Sequence, residues 1–165
     1  MIIKNLTHFW LIFLNISSWV VIHLGVSYLC LKIPLGKFNY NNWLFKIKSF
    51  ESHGKIYEKI FKIKKWKDKV PDGAKIFKKG FPKKKLEQKK LEQTNKKYFN
   101  TFMLETCRGE ITHWLQILPV WIFFLWNPWW SGIIMIVYAF LVNLPCIMLQ
   151  RYNRARLLRI LDKNY

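Results

Sequence analysis

Residues 9–31 read FWLIFLNISSWVVIHLGVSYLCL, a stretch without a single Lys, Arg, Asp or Glu. Two more uncharged apolar stretches follow, ITHWLQILPVWIFFLW at 111–126 and WSGIIMIVYAFLVNLPCIML at 130–149. Uncharged runs of this kind suit a hydrocarbon layer, which is about 30 Å thick and needs about 20 apolar residues from a helix that crosses it. Between the first two, residues 32–110 hold 22 of the 28 basic residues against eight acids. Charge and apolar surface are thus segregated along the chain. The pattern predicts an all-α integral membrane protein, with three transmembrane helices and a large basic cytoplasmic loop containing interfacial helices.

The segments follow from that pattern. Residues 1–31 form an N-terminal transmembrane anchor. It is read as retained, because its apolar run is longer than a signal-peptide core and Val26-Ser27-Tyr28-Leu29-Cys30 offers no small-x-small cleavage site. Residues 32–110 are the basic cytoplasmic or interfacial loop, 111–149 a transmembrane hairpin, and 150–165 a basic tail with Arg151, Arg154, Arg156, Arg159 and Lys163. Positive charge stays on the cytoplasmic side, so loop and tail are expected there in a multi-pass protein of the cell membrane. Asn127-Pro128 breaks the hairpin at its far end, where Trp126, Trp129 and Trp130 suit an interfacial belt. The three cysteines, Cys30, Cys107 and Cys146, lie in or beside apolar runs and read as reduced thiols without metal-type spacing.

Within the loop, residues 33–50 mix Phe38, Tyr40, Trp43, Phe45 and Phe50 with Lys37, Lys46 and Lys48, which suits insertion among lipid headgroups. Residues 51–63 place apolar side chains at 56, 57, 60, 61 and 63, close to a helical stripe, and predict one interfacial helix. A turn at Pro71-Asp72-Gly73 follows. Residues 84–88 (KKLEQ) are duplicated at 89–93, a solvated low-complexity tract suited to attracting anionic lipid. The pI near 10.0 alone would permit nucleic-acid binding, but no such motif is present, and no nucleic acid is expected as partner.

Three polar groupings could carry chemistry. His53-x4-Glu58 has the spacing of a base and its orienting carboxylate, against the plainer reading of a surface histidine beside Gly54. In the run Glu105 to Trp114, Glu105, Arg108, Gly109 and Thr112 share a helical face, while Glu110 and His113 are i,i+3 neighbours. That cluster is either structural pairing at a helix entrance or a functional site. Glu110-x-x-His113 is half of a di-iron ligand motif, but no second copy exists, so no metal is expected. Gln150-Arg151-Tyr152-Asn153-Arg154 is either a topological stop with an aromatic anchor or a clamp for phosphate or carboxylate. Asn143 and Pro145 inside the third span could kink it and open a polar notch.

Taken in order, several blocks resemble one family. They are Glu51-x-His53-Gly54-Lys55, Lys65-Trp66-Lys67-x-Lys69-x-x-Asp72-Gly73, Glu105-Thr106-x-Arg108-x-Glu110-x-x-His113-Trp114-x-x-Ile117-Leu118-Pro119-Val120, Asn143-x-Pro145, and Gln150-Arg151-Tyr152-Asn153-Arg154-x-Arg156-Leu157. The chain resembles the glycosyl-4,4'-diaponeurosporenoate acyltransferases of staphyloxanthin-type carotenoid biosynthesis over residues 50–73 and 104–160. The lysine-rich tract and the Trp-rich turn fall outside the resemblance.

The resemblance implies O-acylation of a sugar hydroxyl on a glycosylated C30 carotenoid acid, as the final step of that biosynthesis. It further implies an acyl-CoA or acyl carrier protein donor, no further cofactor, membrane lipids as surroundings and other carotenoid-pathway enzymes as partners. The chemistry of such a transfer needs a general base, for which His53 or His113 is available, with Glu105 or Glu110 to orient it. Arg108 suits the oxyanion or a donor phosphate. Lys65, Trp66, Lys67, Asp72, Trp114, Arg151, Tyr152, Asn153 and Arg154 are the candidate substrate-binding residues. No Ser or Cys stands in a nucleophile setting, so direct transfer is expected. The competing reading is a non-enzymatic membrane adaptor that binds anionic lipid or partner enzymes through the basic loop.

Overall fold

The computed structural model describes residues 8–70 and 96–163. Asp72, the turn around it and the duplicated KKLEQ tract lie outside the described residues. Among the described residues there are five α-helices, α1 (His8–Lys32), α2 (Lys55–Lys59), α3 (Ile63–Trp66), α4 (Lys96–Ile117) and α5 (Trp129–Lys163), with short 3-10 segments between α1 and α2, after α3 and between α4 and α5, and no strand.

Two of these helices, α1 and α5, are long and apolar enough to cross a membrane. Helix α1 has 25 residues, about 38 Å at 1.5 Å per residue. Its inner face buries Trp19 and Ile22 against Ile117 of α4, Val120 and Phe123 of the 3-10 helix that follows it, and Ala139 and Ile147 of α5. Its outer face leaves Phe9, Ile12, Ile16, Val21 and Leu29 exposed, as α5 leaves Ile134 and Leu141. Helices apolar all round are found in large cores or in lipid.

The apolar stretch 111–126 does not form a third long helix. Its first seven residues close α4, and Leu118–Leu125 tighten into a 3-10 helix with Pro119 in its first turn. Pro119 has no N–H for an α-helical bond and constrains the residue before it, so the helix changes pitch at this point. The hairpin then turns at Asn127-Pro128. Asn127 accepts from Asn15 of α1 at 3.0 Å, and both Asn127 and Trp126 donate to Asn15 Oδ1 at 2.8 Å. That knot ties α1 to the far end of the hairpin.

Gly132, in the first turn of α5, lies close against the other arm of the hairpin. A Cβ there would lie 2.4 Å from the Phe124 ring. Gly132→Ala is expected to destabilise the fold by about 1–3 kcal/mol through overpacking. Thermal unfolding in detergent checks this, and an unchanged midpoint would mean that the ring swings aside without cost.

The described part of the basic segment is more structured than the charge pattern suggests. Helix α4 begins at Lys96, inside the stretch read as loop, and α5 runs on through Pro145 to Lys163, taking in the basic tail. The single helix expected over 51–63 is broken into a 3-10 turn (Ser49–Gly54), α2 and α3. Ser52 (φ 47), His53 (φ 52), Gly54 (φ 86) and Lys62 (φ 47) all take left-handed backbone. For Ser, His and Lys this conformation costs roughly 1–2 kcal/mol each. What holds it is tertiary: Glu51 is drawn inward, and Gly54 lies so close to α5 that a Cβ would meet Ala155 Cβ at 2.7 Å.

Candidate active site

Three polar residues on α4, Glu110, His113 and Gln116, are spaced three apart and therefore descend one side of the helix. Each is bonded to another helix, and α4 and α5 run antiparallel along this seam.

At the top lies an ionic layer. Arg151 of α5 donates to Glu51 Oε1 at 2.5 Å and to Glu110 Oε1 at 2.6 Å. It also donates to the backbone carbonyls of Leu44 and Lys46, pinning the loop onto α5. Arg154, fully buried, pairs with Glu110 Oε2 and reaches Thr106 Oγ1 at 3.2 Å, with its guanidinium over the Phe45 ring. Tyr57 donates to Glu51 at 2.7 Å, and the Lys48 N–H donates to the same carboxylate at 2.9 Å. Burial alone would raise the Glu51 pKa, but the hydrogen bonds from Arg151, Lys48 and Tyr57 prevail and hold it below the usual carboxylate range. Burial, followed by the neighbouring Glu51, pushes the Tyr57 hydroxyl far up, so it stays a donor.

One turn lower, about 4.5 Å along α4, the His113 Nδ1 lies 2.9 Å from Asn143 Oδ1 of α5. Asn143 is fully buried, and its Nδ2 donates to the Ala139 carbonyl at 2.9 Å. Another turn down, Gln116 donates to Ser27 Oγ of α1 at 3.0 Å and to the His23 carbonyl at 3.2 Å.

The remaining described candidate residues lie apart from these three contacts. Glu105 and Arg108 pair with each other at 2.5 Å on the same helix, above the seam. Tyr152 is buried in the cluster with Tyr57 and Ile63, packing the loop onto α5, and Asn153 beside it is half-buried. Lys65 is exposed, Lys67 half-buried, and Trp66 donates to the Phe61 carbonyl at 2.8 Å. Trp114, 37% exposed, flanks His113 on the outer surface. His53 is exposed on its left-handed turn. Its expected partner Glu58 instead meets Lys64 at 2.6 Å and Arg159 at 2.8 Å.

The two histidines are therefore not brought together. Gly54 sits on Ala155, whereas His113 meets Asn143, twelve residues earlier on α5, which corresponds to about 18 Å along the helix. Arg151 and Arg154, read from sequence either as a topological stop or as a clamp for phosphate or carboxylate, are committed to the carboxylates of Glu51 and Glu110. Glu51, Tyr57 and Asn143 are the residues that sequence reasoning missed as members of the site. Burial pushes the Cys107 thiol up to about 11, which leaves no thiolate nucleophile there. No cluster of three or more His, Cys, Asp or Glu forms a metal site among the described residues.

Glu58 supplies a pH test. Hydrogen bonds from Lys64 and Arg159 hold its pKa at about 2, below its ordinary value of 4.5. A lowered folded-state pKa stabilises the fold above the unfolded value and loses that stabilisation as pH falls. Stability should therefore decline between about pH 4.5 and 2. Glu58→Gln should make that acid limb shallower in a titration of the unfolding midpoint. An unchanged limb would remove Glu58 from the acid response.

Comparison with known proteins adds the family. Residues 41–163 match the family described as glycosyl-4,4'-diaponeurosporenoate acyltransferase. The protein of that name from Staphylococcus aureus (strain MRSA252) is 37% identical over 143 residues, covering 87% of this chain and 83% of its own length. Those from strains bovine RF122 / ET3-1 and USA300 are each 36% identical over the same span. No solved structure matches. With about three-quarters of its length matched, the chain belongs to the glycosyl-4,4'-diaponeurosporenoate acyltransferase family and is an acyltransferase.

Proposed function

We propose that this enzyme transfers a fatty acyl group from an acyl thioester to a sugar hydroxyl of a glycosylated C30 carotenoid acid, completing a staphyloxanthin-type pigment. The observation that carries this reading is the family match, which includes Glu110, His113 and Gln116 together with Glu51, Asn143, Arg151 and Arg154. His113, half-buried one turn below the ionic layer, is the group we assign as general base. It takes the proton from the sugar hydroxyl as the oxygen attacks the thioester carbonyl. The new C–O ester bond forms, the C–S bond breaks, and the proton passes to the departing thiolate, giving a free thiol and a neutral histidine. Arg108 is assigned to the oxyanion or a donor phosphate, and Glu105 holds it at 2.5 Å.

The donor's charged portion, coenzyme A or an acyl carrier protein, is assigned to Lys65 and Lys67 on the loop surface, with no further cofactor. His53 and Asn153 are assigned to the donor's polar portion as well, and Trp114 to the acceptor's apolar chain. Arg151, Arg154 and Tyr152 then act through the loop they hold rather than by touching substrate.

The topology we infer is multi-pass in the cell membrane, with α1, the 111–126 arm and α5 all spanning. The seven α-helical and eight 3-10 residues of that arm rise about 26 Å together, close to a hydrocarbon thickness. The lysine-rich segment and the tail lie on the cytoplasmic side, where anionic lipids and other carotenoid-pathway enzymes are the partners. A non-enzymatic adaptor gains no support, since the relatives carry the name of an enzyme.

The test is mass spectrometry of pigment extracts from cells with and without this gene, with the glycosylated carotenoid acid supplied by co-expression. A new species heavier by one fatty acyl residue is expected. An unchanged profile, with the protein present in the membrane fraction, would sink the substrate assignment.

A further inference from the structure

We propose that Asn143 is a positioning residue that holds His113 in the Nδ1–H tautomer, so that the proton-accepting lone pair sits on Nε2. The inference rests on the reading of His113 as base and deepens it. Asn143 Nδ2 donates to the Ala139 carbonyl of its own helix, at 2.9 Å. A carbonyl oxygen only accepts, so the amide cannot turn over without setting oxygen against oxygen. Oδ1 is thereby fixed toward His113, 2.9 Å from Nδ1. An amide oxygen also only accepts, so the imidazole nitrogen facing it must carry the proton. In neutral histidine one nitrogen then remains as acceptor, and it is Nε2.

The burial of Asn143 makes this specific. Its side chain is fully enclosed, and there an amide with an unmet oxygen is costly. Both halves of the amide are satisfied together only when His113 presents Nδ1–H. Asn143 also restricts the ring's rotation, because the bond joins two antiparallel helices.

The test uses the full-length protein, labelled with [15N]histidine and reconstituted in lipid nanodiscs, with the His113→Ala spectrum identifying the His113 signals. Nδ1 should be protonated in the native protein. Asn143→Leu removes the acceptor and should shift the tautomer toward Nε2–H, with kcat falling about 100-fold while KM stays within about twofold. Asn143→Asp keeps an acceptor oxygen and should keep both the Nδ1–H signal and most of the kcat. A native His113 protonated at Nε2, or the same tautomer in Asn143→Leu as in the native protein, would overturn the proposal. If Asn143→Leu fails to insert, the native spectrum and Asn143→Asp still decide. A tautomer that shifts while both Asn143→Leu and His113→Ala turn over normally would uphold the tautomer assignment and defeat the base assignment alone.

Discussion

Glu110→Ala is expected to be the most destabilising single change in the polar seam, costing about 3–5 kcal/mol. Glu110 and Arg154 are 1% and 0% exposed, so neither can turn to water when its partner is lost. The Glu110 carboxylate is shared by Arg151 and Arg154. Its removal leaves Arg154 with weak contacts to Thr106 Oγ1 and Cys107 Sγ, and its Nε already has no partner. Arg151 keeps Glu51, so the loop should stay attached while the α4–α5 seam loosens. Lys64→Ala provides the contrast: its pair with Glu58 is 63% and 23% exposed, and such pairs contribute about 0–1 kcal/mol. Unfolding midpoints of the two variants in the same detergent measure the difference. Equal, small losses would mean that apolar packing, not the ionic layer, joins α4 to α5.

The ionic layer also marks the boundary of what could be read from the chain. The uncharged runs at 9–31 and 130–149 were legible as long helices, because length and lack of charge are local properties. The run at 111–126 is as apolar, yet it holds 16 residues and contains Pro119, and composition does not register a change of pitch. The spacing of Glu110 and His113 was readable as one helical face. Their partners were not, because Glu110 meets Arg151 across 41 positions and Arg151 meets Glu51 across 100. Arginines just past an apolar run read as a topological stop or as a clamp for phosphate or carboxylate, and only the folded chain shows which carboxylates come to them. The apolar spacing across 51–63 reads as one helix, and Ser52 and His53 give no local sign of left-handed backbone. Asn143 was legible as a polar notch, while the histidine it faces lies 30 positions away.

His113→Ala should reduce kcat by about 10²–10⁴-fold, the usual contribution of a positioned base, while the protein still inserts and folds. The structural cost is modest. The substitution removes the hydrogen bond to Asn143, worth about 0.5–1.5 kcal/mol net with up to about 3 if the Asn143 oxygen stays unmet, and leaves the pairs of the ionic layer in place. His53→Ala should lose less than about tenfold, because an exposed side chain that contacts substrate without moving its proton affects binding more than chemistry. The separation of the two histidines along α5 makes the comparison clean, since sites far apart with no shared partner behave additively. Turnover of each variant with an acyl thioester and the glycosylated acceptor, followed by mass spectrometry of the ester, gives the answer. The reverse ranking would move the base to the left-handed turn at Ser52 to Gly54, and the strain stored there would then belong to catalysis rather than to loop docking. Near-complete loss in both single variants would require two histidines in one transition state, which 18 Å (about twelve residues of helix) forbids unless the loop moves.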